Sequence, residues 1–199
     1  MEYDIAQKSL LGAREEQQDC HYAHCEPGRA FAVVCDGMGG IGHGGAASRV
    51  AVETLKGLFY AKEAAESCPT FFIRAVDILD EQVANLADDL GQRLGGGTTI
   101  VAVIIEGDAL YWLSVGDSRL YILRGEELVC VTRDHNYLLI EPEDTSRKAE
   151  ALISFIGMPR RRMTCATHHG SHGQKRCPFE ADLEPVFTSV LTAYGRGRF

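Results

Sequence analysis

The stretch Phe31-Ala-Val-Val-Cys-Asp36-Gly37-Met-Gly39-Gly40-Ile-Gly42-His-Gly44-Gly45 constrains this chain more than any other. A short apolar run ends in one carboxylate. A glycine-dense turn follows, and then a helical pattern begins. Such a passage presents Asp36 at the mouth of a strand, with the bare Gly37 backbone beside it. Hard cations take oxygen ligands of both kinds, carboxylates and backbone carbonyls. The same stretch also satisfies a nucleotide-loop pattern, so the rest of the chain has to decide.

The remaining elements follow from apolar spacing. Residues 2–10 can form an opening strand, and residues 30–36 a second, more apolar one. Val50, Val52, Leu55, Leu58 and Phe59 predict a helix from Gly44 to about Lys62. Ser67-Cys68-Pro69 reads as a helix start with proline in the first turn. Phe72, Ala75, Val76, Leu79, Val83, Leu86 and Leu90 then continue a long amphipathic helix. Gly95-Gly96-Gly97 stops it. Short strands at Thr98–Ile105, Leu110–Val115, Leu120–Leu123 and Leu128–Val131, separated by Gly/Asp turns, read as antiparallel hairpins. Strands, then two helices, then more strands imply an α+β layered fold rather than alternating βαβ units. Residues 134–157 look helical in part.

With 199 residues the chain can bury one sizeable core. A net charge of -8 disfavours a general nucleic-acid binder, which needs a basic face. No apolar run reaches membrane-span length, and the N-terminus lacks the regions of a signal peptide, so no membrane partner and a cytoplasmic location are expected. The seven cysteines are odd in number and include no Cys-x-x-Cys, which favours reduced thiols over a disulfide framework.

Four pieces could converge on one site: Gly12-Ala-Arg14-Glu-Glu-Gln-Gln-Asp19, Asp36-Gly37-Met-Gly-Gly, Gly95-Gly-Gly-Thr-Thr99, and Val115-Gly116-Asp117-Ser118-Arg119, the last set in a hairpin. Singly, each has an ordinary structural explanation as a turn, a solvated acid or a surface ion pair. Their joint occurrence, in this order and spacing over about residues 1–158, resembles the metal-dependent protein phosphatases, the type 2C serine/threonine phosphatases. The resemblance implies a four-layer α-β-β-α sandwich of antiparallel sheets, with two or three Mn²⁺ or Mg²⁺ ions at one edge. It implies a metal-activated water that attacks phosphoserine or phosphothreonine in proteins that are substrates of a serine/threonine kinase, hence a role in signal transduction.

By the same resemblance Asp36 corresponds to the carboxylate that bridges the two central metals, and Gly37 to the residue giving one of them a backbone carbonyl. Asp19 corresponds to an acid that binds metal mostly through water, and Asp117 to the acid of an accessory third-metal site. Arg14 corresponds to the arginine that holds the substrate phosphate. The family usually has Asn where Gln17 stands. The chemistry is coherent: phosphate monoesters hydrolyse very slowly unaided, and a two-metal site can lower the pKa of a water and clamp attacking and leaving oxygens.

After Met158 the character changes. Arg160-Arg161-Arg162, His168, His169, His172, Lys175 and Arg176 crowd together without apolar period. The family's two remaining acids, one in a Cys-Ser-Asp-Gly sequence and one in an Asp-Asn pair, are absent from 159–199, where Asp182 precedes Leu183. One permitted codon choice for Ser189 to Arg196 spells Cys-Ser-Asp-Gly-Val-Trp-Glu when read in a shifted frame. A frameshift near Met158 is therefore hypothesised, dividing the chain into a phosphatase-like portion, 1–158, and a divergent tail, 159–199. The fold is then incomplete at its C-terminus and catalysis impaired.

Three alternatives have specific residues behind them. Arg14 could serve a non-catalytic, phosphate-recognising regulatory relative. Gly37-Met-Gly39-Gly-Ile-Gly42 matches a dinucleotide-binding loop, although Asp36 would then oppose a pyrophosphate. Cys165, His168, His169, His172 and Cys177 could form a small zinc site, although their spacing fits no common pattern.

Overall fold

The computed structural model describes residues 3–39, 43–135, 152 and 154–158, together with the backbone of 187–191. Expectations placed on 136–151, and nearly all of those placed on the tail, including the zinc cluster, lie outside the described residues.

The element order is β1 (Asp19–Glu26), β2 (Arg29–Met38), α1 (His43–Tyr60), α2 (Cys68–Ala84), β3 (Gly97–Thr98), β4 (Ile100–Glu106), β5 (Ala109–Val115), β6 (Arg119–Arg124), β7 (Glu127–Cys130) and β8 (Phe187–Leu191). A five-stranded sheet runs β1-β2-β4-β5, with β3 pairing to the end of β2. A three-stranded sheet runs β7-β6-β8. Every pairing is antiparallel.

Burial follows from the period of two along the strands. In β2, Phe31, Val33 and Cys35 face the helices. In β4, Ile100, Ala102 and Ile104 do the same, and meet Ala51, Leu55 and Phe59 of α1 and Phe72, Val76 and Leu79 of α2. The alternate residues of β4, Val101 and Val103, turn the other way and pack with Leu120 of β6. Strand β4 is thus buried on both faces, which explains its unbroken apolar run. The layers are helices, first sheet, second sheet: an α+β sandwich of antiparallel sheets.

Four expectations need correction. Residues 3–18 form no strand and lie mostly exposed, whereas Asp19–Glu26 forms β1. Strand β1 is a sheet edge, and its half-buried, polar-rich sequence conceals a pairing that β2 supplies. The second helix ends at Ala84 rather than Leu90. Asp88 ends the helical spacing by accepting from the N–H groups of Leu90 and Gln92, at 2.9 and 2.8 Å, a local bond that competes with helix. The Gly116-Asp117-Ser118 turn is not a hairpin: it carries the chain from β5 in the first sheet to β6 in the second. Finally, β2 is flanked only by antiparallel strands, which removes the parallel βαβ unit a dinucleotide loop requires.

Ser67 caps α2 as its sequence suggests, its side chain accepting from the Thr70 N–H. Residues 187–191, within the span expected to be a divergent tail, pair their backbone with β6, Leu120 lying opposite Val190.

Candidate metal centre

The site is built where β1 and β2 end. The Gly37 N–H donates to the Gln18 carbonyl at 3.1 Å, which makes 18 and 37 a hydrogen-bonded pair. The adjoining pair, Asp19 opposite Asp36, is therefore non-hydrogen-bonded, the type in which Cα atoms approach to ~4.5 Å and side chains stand closest. Both carboxylates project from one face of the sheet, the face opposite Cys35. Asp36 is only 2% exposed and Asp19 is half-buried.

Gly37 is glycine because helix α1 begins against it. A Cβ there would lie 2.0 Å from the Gly44 carbonyl oxygen and 2.7 Å from that of Gln18. Ser48 of α1 donates to the same Gln18 carbonyl at 2.6 Å. The start of the helix, the end of β2 and the chain entering β1 are thus fused at backbone level. Gln17, where the resembling family has Asn, turns its carbonyl oxygen to the Asp19 N–H at 3.2 Å and its amide nitrogen to the Leu10 carbonyl at 3.3 Å.

The Gly95–Thr99 segment fixes Asp36 from the other side. The Thr99 N–H and the Thr98 hydroxyl both donate to the Asp36 carbonyl, each at 2.9 Å, and the Asp36 N–H donates to Thr99 Oγ1 at 3.2 Å. Thr99 Oγ1 in turn bonds Ser118 Oγ at 2.6 Å. Both threonines are fully buried. A continuous chain of bonds therefore links the Asp36 backbone to the turn that carries Asp117. Arg14 stands exposed on the loop that precedes β1.

Asp117 is partly buried, and its Oδ1 has no hydrogen-bond partner among the described residues. Burial pushes its carboxyl above the ordinary range, and the Asp134 charge adds to this, against its own backbone N–H and Arg119. The turn is held by residues not anticipated from sequence. Arg119 grips Asp134 with two bonds, Nε to Oδ1 at 2.8 Å and Nη2 to Oδ2. The Gly116 N–H donates to His135 Nδ1 at 3.2 Å, and the His135 N–H donates to the Gly116 carbonyl at 2.9 Å. The signal in the sequence is the Arg133-Asp134-His135 triplet, which begins three residues after the end of β7.

The donors suit a hard cation. They are two facing carboxylates, which repel when directly opposed, a neighbouring backbone carbonyl, and a buried carboxylate oxygen lacking a donor. They are also few: among the described residues no group of three or more His, Cys, Asp or Glu converges on one point.

Antiparallel sheets face to face, with helices on an outer face and carboxylates at the strand ends, define an α+β sandwich with a candidate site for oxygen-seeking ions at its edge. The chain belongs to the protein phosphatase 2C family, whose model, Protein phosphatase 2C, matches residues 7–147. It is 33% identical over 156 residues to Protein phosphatase PhpP of Streptococcus pneumoniae serotype 2, covering 74% of this chain and 60% of that one. The chain thus spans about three fifths of this relative's length. The Mycobacterium tuberculosis serine/threonine phosphatase PstP/Ppp superposes with a TM-score of 0.61 at 28% identity, covering 75% of this chain and 66% of that one. The catalytic domain of the serine threonine protein phosphatase PstP in complex with two manganese ions superposes with a TM-score of 0.60 at 26% identity, over 75% and 64%. Among the described residues no helix is long and apolar enough to cross a membrane.

Proposed function

We propose that the site serves metal-dependent hydrolysis of phosphoserine and phosphothreonine in proteins, the targets of a serine/threonine kinase, and that this chain performs it weakly. The observation that carries the reading is the Asp19–Asp36 pair, opposed across a ladder and locked in place by Gly37, Thr98 and Thr99. The manganese complex of PstP supports the choice of metal. Magnesium is the second candidate, since both ions take oxygen donors.

In this reading Asp36, the Gly37 carbonyl and Asp19 would hold the divalent ions, Asp19 chiefly through water, and Asp117 would hold an accessory one. When bound, the divalent ions supply Lewis acidity and lower the pKa of a water. The protein's own contribution is orientation. Thr98 and Thr99 fix Asp36 through both its N–H and its C=O, so the carboxylate needs little reorganisation when charge develops nearby. Arg14, on the exposed loop beside β1, presents a planar fork suited to a phosphate.

Weak catalysis follows from the sequence: residues 159–199 lack the Asp-Gly and Asp-Asn acids of the family. The same shortage favours a second reading, phosphate recognition without turnover. A Mn²⁺-dependent phosphopeptide assay on the 199-residue chain separates the two. Slow turnover abolished by Asp36→Asn supports the phosphatase reading. Binding without turnover, retained in Asp36→Asn, supports the second, and vigorous turnover by the chain as it stands overturns the impairment.

A further inference from the structure

The turn carrying Asp117 is tied at every residue but that one. Ser118 bonds Thr99 Oγ1. Arg119 is clamped by Asp134. Gly116 is held through both its N–H and its C=O by His135, at 3.2 and 2.9 Å. Gly116 has φ +104, a left-handed conformation, and a Cβ there would sit 2.6 Å from Thr99 Cγ2. Its backbone therefore cannot rotate without losing both bonds to His135, and no other residue fits in its place. Asp117 Oδ1 is buried with no hydrogen-bond partner among the described residues. Beyond its own backbone N–H, its direction is set by the neighbours that hold the turn.

We propose that His135 is a positioning residue for Asp117: its ring and backbone fix Gly116, and so aim the Asp117 carboxylate to receive a divalent cation. This rests on the metal-site reading given above. The ring acts as acceptor at Nδ1, so it carries its proton on Nε2. Asparagine places a carbonyl oxygen close to where histidine has Nδ1, whereas leucine fills the space and accepts nothing. Outer partners that orient a metal ligand are worth about 10–100-fold in metal affinity.

The test is a Mn²⁺ titration of the 199-residue chain, with free Mn²⁺ read by electron paramagnetic resonance. Wild type is compared with His135→Leu, His135→Asn, Asp117→Asn and the double variant His135→Leu/Asp117→Asn. Circular dichroism verifies that each is folded. The Asp117-dependent ion is the one lost in Asp117→Asn. The expected result is roughly ten-fold weaker binding of that ion in His135→Leu, near-wild-type binding in His135→Asn, and no further loss when His135→Leu is added to Asp117→Asn. The proposal is overturned if His135→Leu binds like wild type, if His135→Asn loses as much as His135→Leu, or if His135→Leu weakens Mn²⁺ binding equally in the Asp117→Asn background. A wild type with no Asp117-dependent ion overturns the accessory-site assignment and this inference together. A wild type that binds the ion but is indifferent to His135 overturns this inference alone.

Discussion

Asp19 and Asp36 face each other as a non-hydrogen-bonded pair at the last rung of the β1–β2 ladder. Like charges directly opposite destabilise a sheet, and here one member is 2% exposed. A divalent cation bound between them would turn that repulsion into attraction. Mn²⁺ at about 100 times its Kd should therefore stabilise the folded chain by about 2.7 kcal/mol. For a chain of this size that is a rise in Tm of about 5–10 °C. In Asp36→Asn the rise should disappear. Thermal melts with and without Mn²⁺ check this, and an undiminished rise in Asp36→Asn would remove Asp36 from the ligand set.

The junction of β2 with α1 depends on a missing side chain. Gly37→Ala would drive a methyl into two backbone carbonyls. Neither can yield without moving a strand or a helix, so the loss should reach about 3 kcal/mol, the upper end for overpacking. Gly57, within α1, is the control, since a Cβ there meets nothing within 4 Å. Gly57→Ala should stabilise by about 0.5–1 kcal/mol through helix propensity alone. Urea denaturation of both variants gives the two signs. Equal effects would contradict the packing described.

Glu106 offers a pH handle far from the metal site. Burial opposes its ionisation, but hydrogen bonds from Cys68 and Lys62, and the charges of Lys62 and Arg29, outweigh that and hold its carboxyl below the ordinary value of 4.5. Lys62 Nζ lies 3.3 Å and Arg29 Nε 3.2 Å from Glu106 Oε1. A carboxyl depressed in the folded state stabilises fully above its unfolded pKa, and that contribution fades as pH falls through the folded one. Stability should thus lose a component below about pH 4.5. Glu106→Gln should remove that component and leave a flatter acid limb in denaturation midpoints measured from pH 7 to 3. A limb unchanged in Glu106→Gln would place the acid sensitivity elsewhere.

What could be read from the chain beforehand was whatever rests on local pattern. The apolar run into Asp36, the Ser67-Cys68-Pro69 helix start and the Gly107 and Gly125 hairpin turns are all decided within a few residues. Strand β1 is not legible in the sequence because an edge strand such as Asp-Cys-His-Tyr-Ala-His-Cys-Glu has little apolar alternation of its own. Its register exists only once β2 is beside it. The Asp117 turn reads as a hairpin in the sequence because turn chemistry does not reveal that β5 and β6 lie in different sheets. Arg119, Asp134 and His135 form a brace only once residues 116–135 fold back on themselves: 119 meets 134, and 116 meets 135.

The bond between Thr99 and Ser118 is the mechanical link between the Asp36 rung and the Asp117 turn, and it can be tested as such. Thr99 Oγ1 receives the Asp36 N–H and bonds Ser118 Oγ, all within the buried core. Thr99→Val keeps the shape but leaves a buried N–H and a buried hydroxyl without their partner. Stranded groups of this kind cost about 1–3 kcal/mol each, so a loss of about 3 kcal/mol is expected. Ser118→Ala removes one partner and leaves the Asp36 N–H satisfied, so it should cost about 1 kcal/mol. Because both variants break one shared bond, the double variant should fall short of the sum by about 1 kcal/mol. Chemical denaturation of the four proteins closes the cycle. Strict additivity would mean that the two hydroxyls act independently and that the Asp36 and Asp117 elements are not coupled through them.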